Sequence, residues 1–238
     1  MWIQVKGNKM GATTQKTFKP NLQELQPFAT EISNNEIKKE PMFFNSDLQY
    51  AYENGGTITK SFIDNLPSGW KENVVFDSRI HMLMPKWHPA IPGWHHDDVP
   101  RSVIPTGQHF ITAGQPDYDN PSYQSEHILG LVNAEICPTQ FINTECIMPA
   151  IPDGELIYRA WHTEIEKLIK ANKVEVIEAK DRTLIYFDCN TFHTGIGARS
   201  NGWRWFGRVS RNTDRVNEIT NEIRVNCQVY LEFPMEGW

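Results

Sequence analysis

The sequence predicts a mostly β fold with flanking helices, arranged as a double-sheet jelly roll. Three observations carry this expectation. From Val74 onward the chain runs as short apolar or aromatic stretches broken by Pro, Gly and Asn, the texture of many short strands. One long helical pattern interrupts them, and the remaining helical signal lies before residue 70. Eight or so short strands with one covering helix suit two stacked antiparallel sheets, and they lack the alternating helices of a parallel α/β sheet.

Taken in order, the first 40 residues are weakly patterned. A helix is expected over about 46–54, ended by Gly55-Gly56, and a second over about 59–66, closed by Pro67 and Gly69. Strands are expected at 79–84, 109–113, 127–133, 138–143, 174–179, 182–188, 202–210 and 223–233. The long helix has Asp153 as its N-cap and Glu155 in its first turn, with Leu156, Ile157, Trp161, Ile165, Leu168 and Ile169 at helical spacing, so it should cover one face of the sheets. With 238 residues, 39% of them hydrophobic and 11% aromatic, the chain can bury one large core. The expected organisation is a single structural domain, with residues 1–72 a helical or irregular segment packed on a β domain of residues 73–238. No internal repeat or low-complexity tract points to an array.

Composition excludes several classes. Net charge is −6, from 23 Lys+Arg against 29 Asp+Glu, which argues against a double-stranded nucleic-acid partner. No apolar run approaches the roughly 18–20 residues that span a bilayer. The start, Met1 to Lys19, is polar and mixed rather than basic then apolar, so the expectation is a cytoplasmic protein with no membrane partner. Cys137, Cys146, Cys189 and Cys227 form no CxxC pair, so neither a zinc ribbon nor a disulfide-stapled scaffold is indicated, and reduced core thiols are expected. Five of the ten arginines, Arg199, Arg204, Arg208, Arg211 and Arg215, fall within 17 residues, a local cationic concentration suited to an anion.

The chemistry concentrates at Pro92-Gly-Trp-His-His-Asp-Asp-Val-Pro-Arg101, where His95, His96, Asp97 and Asp98 are consecutive. In extended chain, residues i and i+2 share a face, so His95 with Asp97, or His96 with Asp98, can present an imidazole and a carboxylate to one metal. Alone the pair is weak, since 8 histidines and 11 aspartates give about 0.4 such pairs by chance. A second segment adds to it. Strand 182–188 leads through Cys-Asn-Thr-Phe to His193, and after a Gly-rich turn comes Trp203-Arg-Trp-Phe-Gly-Arg-Val-Ser210. Period two puts Arg204, Phe206, Arg208 and Ser210 on one face and Trp203, Trp205 and Val209 on the other. Two histidines and a carboxylate on adjacent corners of an octahedron suit Fe(II) and leave three positions open.

With His-x-Asp at 95–97, a distal His193 96 residues later, and an arginine on the following strand, the chain resembles the Fe(II)/2-oxoglutarate-dependent oxygenases over about residues 79–210. The resemblance implies a double-stranded β-helix core, Fe(II) held by His95, Asp97 and His193, and 2-oxoglutarate chelating iron through its 1-carboxylate and keto oxygen. It implies coupling of 2-oxoglutarate decarboxylation, giving succinate and carbon dioxide, to O2-dependent hydroxylation of a small-molecule or side-chain substrate. An arginine must neutralise the distal carboxylate. Arg208 is favoured, because Arg208-Val-Ser210 matches the family's Arg-x-Ser with the Ser210 hydroxyl as a second donor; Arg204, eleven residues after His193, fits other branches. Trp94 before His95 favours the 95/97 register over 96/98, which leaves His96 and Asp98 beside the ligands or on the substrate side. The carboxylate ligand argues against a halogenase.

Other titratable and aromatic residues read as structural. His162-Thr-Glu164 sits in the long helix, where i and i+2 diverge. His81, His88, His109 and His127 have no carboxylate at strand spacing, although His81 and His88 can line a pocket. Trp87, Trp94, Trp203 and Trp205 are expected in the core more than against a flat substrate, Cys189 as a buried thiol, and Arg199, Arg211 and Arg215 on the surface. Two rivals keep the fold: a cupin-like divalent-metal enzyme without 2-oxoglutarate, and a non-catalytic jelly-roll binding module.

Overall fold

Alternation along one strand organises the molecule. A computed structural model describes residues 14–101, 116–151 and 156–231. Its elements are β1 (Lys16–Phe18), β2 (Leu22–Pro27), α1 (Asn34–Lys39), β3 (Met42–Phe44), α2 (Leu48–Asn54), α3 (Thr57–Asp64), β4 (Val74–Leu83) and β5 (Glu126–Val132). Then come β6 (Thr139–Ile142), β7 (Cys146–Met148), α4 (Ile157–Lys170), β8 (Val176–Glu178), β9 (Thr183–Asp188), β10 (His193–Gly195), β11 (Gly202–Arg211) and β12 (Glu222–Arg224). In β11 the side chains of Trp203, Trp205 and Val209 enter one apolar cluster, while Arg204, Phe206 and Arg208 face a cavity on the opposite side, as period two requires.

The architecture is mostly β and antiparallel. Five strands form the larger sheet in the order β2-β9-β5-β11-β4, and three form a smaller one, β10-β6-β8. Two-stranded pairs β1-β7 and β12-β3 flank them. The outer face of the larger sheet is covered by α1, α2 and α3 over a core that includes Phe28, Phe43, Phe62, Phe76, Trp205 and Val209. Its inner face, with Leu129, Leu131, Ile185 and Phe187, meets Phe141 of the smaller sheet. A further cluster under α4 joins Phe18, Trp94, Ile142, Trp161 and Phe192. A glycine pair in register, Gly130 and Gly207, lets the outer layer close: a Cβ at Gly207 would lie 2.2 Å from the Trp205 ring, and one at Gly130 2.7 Å from Phe28.

Local chemistry sets the helix ends. Ser33 and Glu36 form a capping box on α1, and Asp47 accepts from Gln49 N and Tyr50 N at the start of α2. Gly56 has no side chain to cap α3, and the buried Glu40 carboxylate takes over, accepting from Ile58 N at 2.7 Å and Thr59 Oγ1 at 2.7 Å.

Several expected bounds shift. The second helix starts at Thr57 and ends at Asp64, and strand 79–84 begins earlier, at Val74. Of the stretch expected as strand 223–233, the described residues pair over Glu222–Arg224 and, further on, through an isolated bridge between Tyr230 and His88. The weakly patterned N-terminal segment supplies β1, β2 and β3, so it contributes strands as well as helices. Strand 109–113, His109, Asp153 and Glu155 lie outside the described residues, and α4 has Leu156 at its N-cap. Among the described residues no helix is long and apolar enough to cross a membrane.

Candidate metal centre

His95 and Asp97 lie in the segment between β4 and β5, and His193 opens β10. Trp94 pins that segment: its ring is buried, its Nε1 donates to Glu166 of α4 at 2.9 Å, and its backbone N donates to His162 Nδ1 at 3.4 Å. Reciprocal backbone hydrogen bonds between His95 and His193, each 3.1 Å, bring the two histidines side by side across 98 positions of sequence. Their ring centroids are 4.6 Å apart.

Ligand atoms of His95, Asp97 and His193 all lie within 4.8 Å of one another. His95 Nδ1 bonds Gly93 O at 2.7 Å and His193 Nδ1 bonds Thr191 O at 3.3 Å. Carbonyls only accept, so these two bonds are donated by an Nδ1–H and leave each Nε2 on the Asp97 side, the orientation that ligation through Nε2 requires. His193 Nε2 is 3.0 Å from Asp97 Oδ2 and His95 Nε2 is 3.8 Å from Oδ1. Adjacent ligands of an octahedral ion, with bonds of about 2.1 Å, stand about 3.0 Å apart; the His193–Asp97 pair has that spacing and His95 lies within 4.8 Å of both, a donor set able to hold a divalent metal. Burial, with the His193 ring beside it, pushes the His95 imidazole down to about 4, which keeps it in the neutral form a metal needs. Burial opposes ionisation of Asp97, but the Arg208 guanidinium and His193 outweigh it and hold the carboxyl well below the usual range.

These groups line a cavity of about 370 Å³ between the two sheets. Asp77, Arg79 and His81 of β4, Leu129 of β5, Phe187 of β9, Thr139 of β6 and Arg204, Phe206 and Arg208 of β11 form its walls. Arg208 Nη1 is bonded to Asp97 Oδ2, and its Nη2 is 3.4 Å from Asp77 Oδ2. Arg204 differs. It is 2% exposed, donates from Nη2 to Thr139 Oγ1 at 3.4 Å and meets no carboxylate within ion-pair distance among the described residues; its Nε, like that of Arg208, has no hydrogen-bond partner among them. Ser210, the other donor expected on this face, bonds His127 Nδ1 at 2.8 Å and does not line the cavity.

The neighbouring residues His96 and Asp98 have different surroundings. His96 turns into the aromatic cluster, its ring centroid 3.8 Å from Phe192 and its Nδ1 2.9 Å from Tyr118 OH. Asp98 borders the cavity, 3.5 Å from Arg215 Nη1. His81 lines the cavity and bonds Cys227 Sγ at 2.9 Å; burial beside Arg204 drops its ring to about 3. His88 bonds Gly195 O at 3.2 Å, His127 stacks on Phe187, and His162 accepts from Trp94. Glu164 pairs with Lys167. Trp94 and Trp205 are core residues, Trp87 and Trp203 pack at cluster margins, and all four cysteines are free thiols, Cys189 pushed up to about 11 by burial and the nearby Asp188. Arg199 pairs with Glu178 at the surface and Arg211 with Glu126. Arg215 corrects the surface expectation: it lies 2.6 Å from Asp77 and forms part of the cavity wall, because the turn after β11 folds back over β4.

Sequence reasoning did not pick out Asp77, Arg79, Thr139 or Phe44, all in the cavity wall. The available signal is the alternation of Asp77, Arg79 and His81 in β4, which a strand beginning at residue 79 cuts short. Compared with known proteins, the chain matches no family model and no curated sequence.

Proposed function

We propose that the chain is an Fe(II)- and 2-oxoglutarate-dependent oxygenase with a double-stranded β-helix core, which turns 2-oxoglutarate into succinate and carbon dioxide while hydroxylating a substrate. The observation that carries the reading is the convergence of two imidazole Nε2 atoms and one carboxylate on a cavity that also holds a buried arginine with no carboxylate partner among the described residues. Two stacked antiparallel sheets with the candidate ligands at their rim support the same reading. Iron, when bound by His95, Asp97 and His193, would supply the activation of O2. The chain's own groups would do the rest. Gly93 O and Thr191 O hold the two imidazoles in the ligating tautomer, and Arg208 holds the Asp97 carboxylate in place. Leu129, Phe187 and Phe206 give the cavity its apolar wall.

Arg204, rather than Arg208, then receives the distal carboxylate of 2-oxoglutarate. Arg208 is already engaged by Asp97 and Asp77, whereas Arg204 is buried beside Thr139 with no carboxylate within ion-pair distance among the described residues. A buried guanidinium gains most from a bidentate anion. The test is succinate formation from 2-oxoglutarate by protein supplied with Fe(II). Wild type should form succinate and the Asp97→Ala and His193→Ala proteins none; turnover unaffected by either change, or absent from a wild-type protein that binds Fe(II), would overturn the reading.

A further inference from the structure

Among the described residues the cavity wall carries four guanidinium groups, Arg79, Arg204, Arg208 and Arg215, against three carboxylates, Asp77, Asp97 and Asp98. Two of the cations account for all three acids: Arg208 faces Asp97 and Asp77, and Arg215 faces Asp77 and Asp98. Arg79 and Arg204 have no carboxylate within ion-pair distance among the described residues. A divalent metal and a dianionic cosubstrate cancel in charge, so loading the site leaves the cationic surplus in place. The cosubstrate has one distal carboxylate, and Arg204 takes it. Arg79 remains.

Its position says what it is for. On the inner face of β4 and β11 the register pairs Asp77 with Arg208, Arg79 with Phe206, and His81 with Arg204. Successive pairs on one face are about 7 Å apart along the strands, so Arg79 sits one step from the group that holds Asp97. Its Nη1 is held by Phe43 O at 3.4 Å and Ser78 O at 3.2 Å, and the guanidinium lies 5.3 Å from the Phe44 ring centroid. Arg79 also lines a second cleft, of about 680 Å³, walled by residues 222–228 and Tyr230 and shared with His95 and Asp97. Arg204 lines the inner cavity alone. Arg79 therefore stands where the open cleft meets the metal centre, the side from which a substrate would approach. Arg215 and Arg224 flank the same Phe44 ring, at 6.0 and 3.6 Å, but both are paired, Arg215 with Asp77 and Asp98 and Arg224 with Glu222 of the cleft, which leaves Arg79 the guanidinium there without an acid partner among the described residues.

We propose that Arg79 anchors an oxyanion on the primary substrate, a carboxylate or a phosphate, so that the oxygenase acts on an anionic rather than a neutral molecule. The assignment of this anion to a substrate rests on the Fe(II)/2-oxoglutarate reading; the anion subsite itself does not. A planar guanidinium with one edge fixed by backbone carbonyls keeps its other donors arranged for bidentate contact.

The test uses phenyl phosphate, phenylacetate and the neutral benzyl alcohol, titrated calorimetrically into the full chain loaded with Mn(II) and 2-oxoglutarate. Wild type should bind at least one of the anions ten times or more tighter than the alcohol, and the stronger of the two identifies the oxyanion. Arg79→Gln should lose that preference and Arg79→Lys keep part of it, with 2-oxoglutarate affinity the same in all three. Failure of wild type to prefer either anion would overturn the proposal. So would a preference that survives Arg79→Gln, or a parallel loss of 2-oxoglutarate affinity, which would make Arg79 a cosubstrate residue. If wild type takes up neither Mn(II) nor 2-oxoglutarate, the oxygenase reading fails instead, and the same titrations on the metal-free chain decide the anion subsite by their dependence on Arg79.

Discussion

At Asp97 and Asp77 burial works against ionisation and neighbouring arginines work for it, and the arginines prevail at both. Asp77 is 3% exposed and accepts from Asn45 N at 2.9 Å as well as from Arg215 at 2.6 Å. Its folded pKa lies below the ordinary value, so its contribution to stability is present in full above about pH 4, the unfolded value, and is lost as pH falls through the folded one. Asp77→Asn breaks a buried ion pair and should cost about 3–5 kcal/mol at pH 7. Urea unfolding should show that deficit shrinking as pH falls below about 4, where the unfolded carboxyl takes up its proton while the folded one is still ionised; a deficit constant with pH would refute the ion-pair account. Arg204→Ala should weaken 2-oxoglutarate binding by about 3–5 kcal/mol, two to three and a half decades in Kd, and Arg208→Ala by much less. The reverse order in a binding titration would return the distal carboxylate to Arg208. At this scale the candidate ligands were legible, because His-x-Asp and a distal histidine after a strand are local patterns. The choice between the arginines was not, since it depends on which guanidinium meets an aspartate from another strand.

At the scale of elements, β11 was the most legible part of the chain. Its alternation, with Trp203, Trp205 and Val209 on one face and Arg204, Phe206 and Arg208 on the other, needs two different environments, and it finds them in the helix-covered core and the inter-sheet cavity. The close fit at its centre depends on Gly207. A methyl group there would have to displace the Trp205 ring, so Gly207→Ala should destabilise by about 1–3 kcal/mol, read as a lower urea midpoint. Unchanged stability would mean that the ring has room the packing does not show. β2 was illegible for the opposite reason: an edge strand reading Leu-Gln-Glu-Leu-Gln-Pro buries no continuous face and shows no period of two. β10 is three residues long, too short to carry a pattern, although it delivers His193.

Over the whole molecule, the sequence's many-strand texture and single long helix foretold a mostly β architecture, and the two stacked sheets agree with it. Strand order and the pairing of distant segments depend on contacts that no local window contains. The bridge between His95 and His193 is the clearest case. The acidic net charge of −6 likewise concealed a cavity whose wall carries more guanidiniums than carboxylates. Proximity of the histidines and the spare buried arginine become one claim when metal and cosubstrate bind together. The most direct measurement is an anaerobic visible-absorption titration of the metal-free protein with Fe(II) and then 2-oxoglutarate, following the metal-to-ligand charge-transfer band of the chelate. A saturable band that vanishes in His193→Ala and survives in His96→Ala is the predicted result. Bound Fe(II) with no band on adding 2-oxoglutarate, or a band indifferent to His193, would contradict the account.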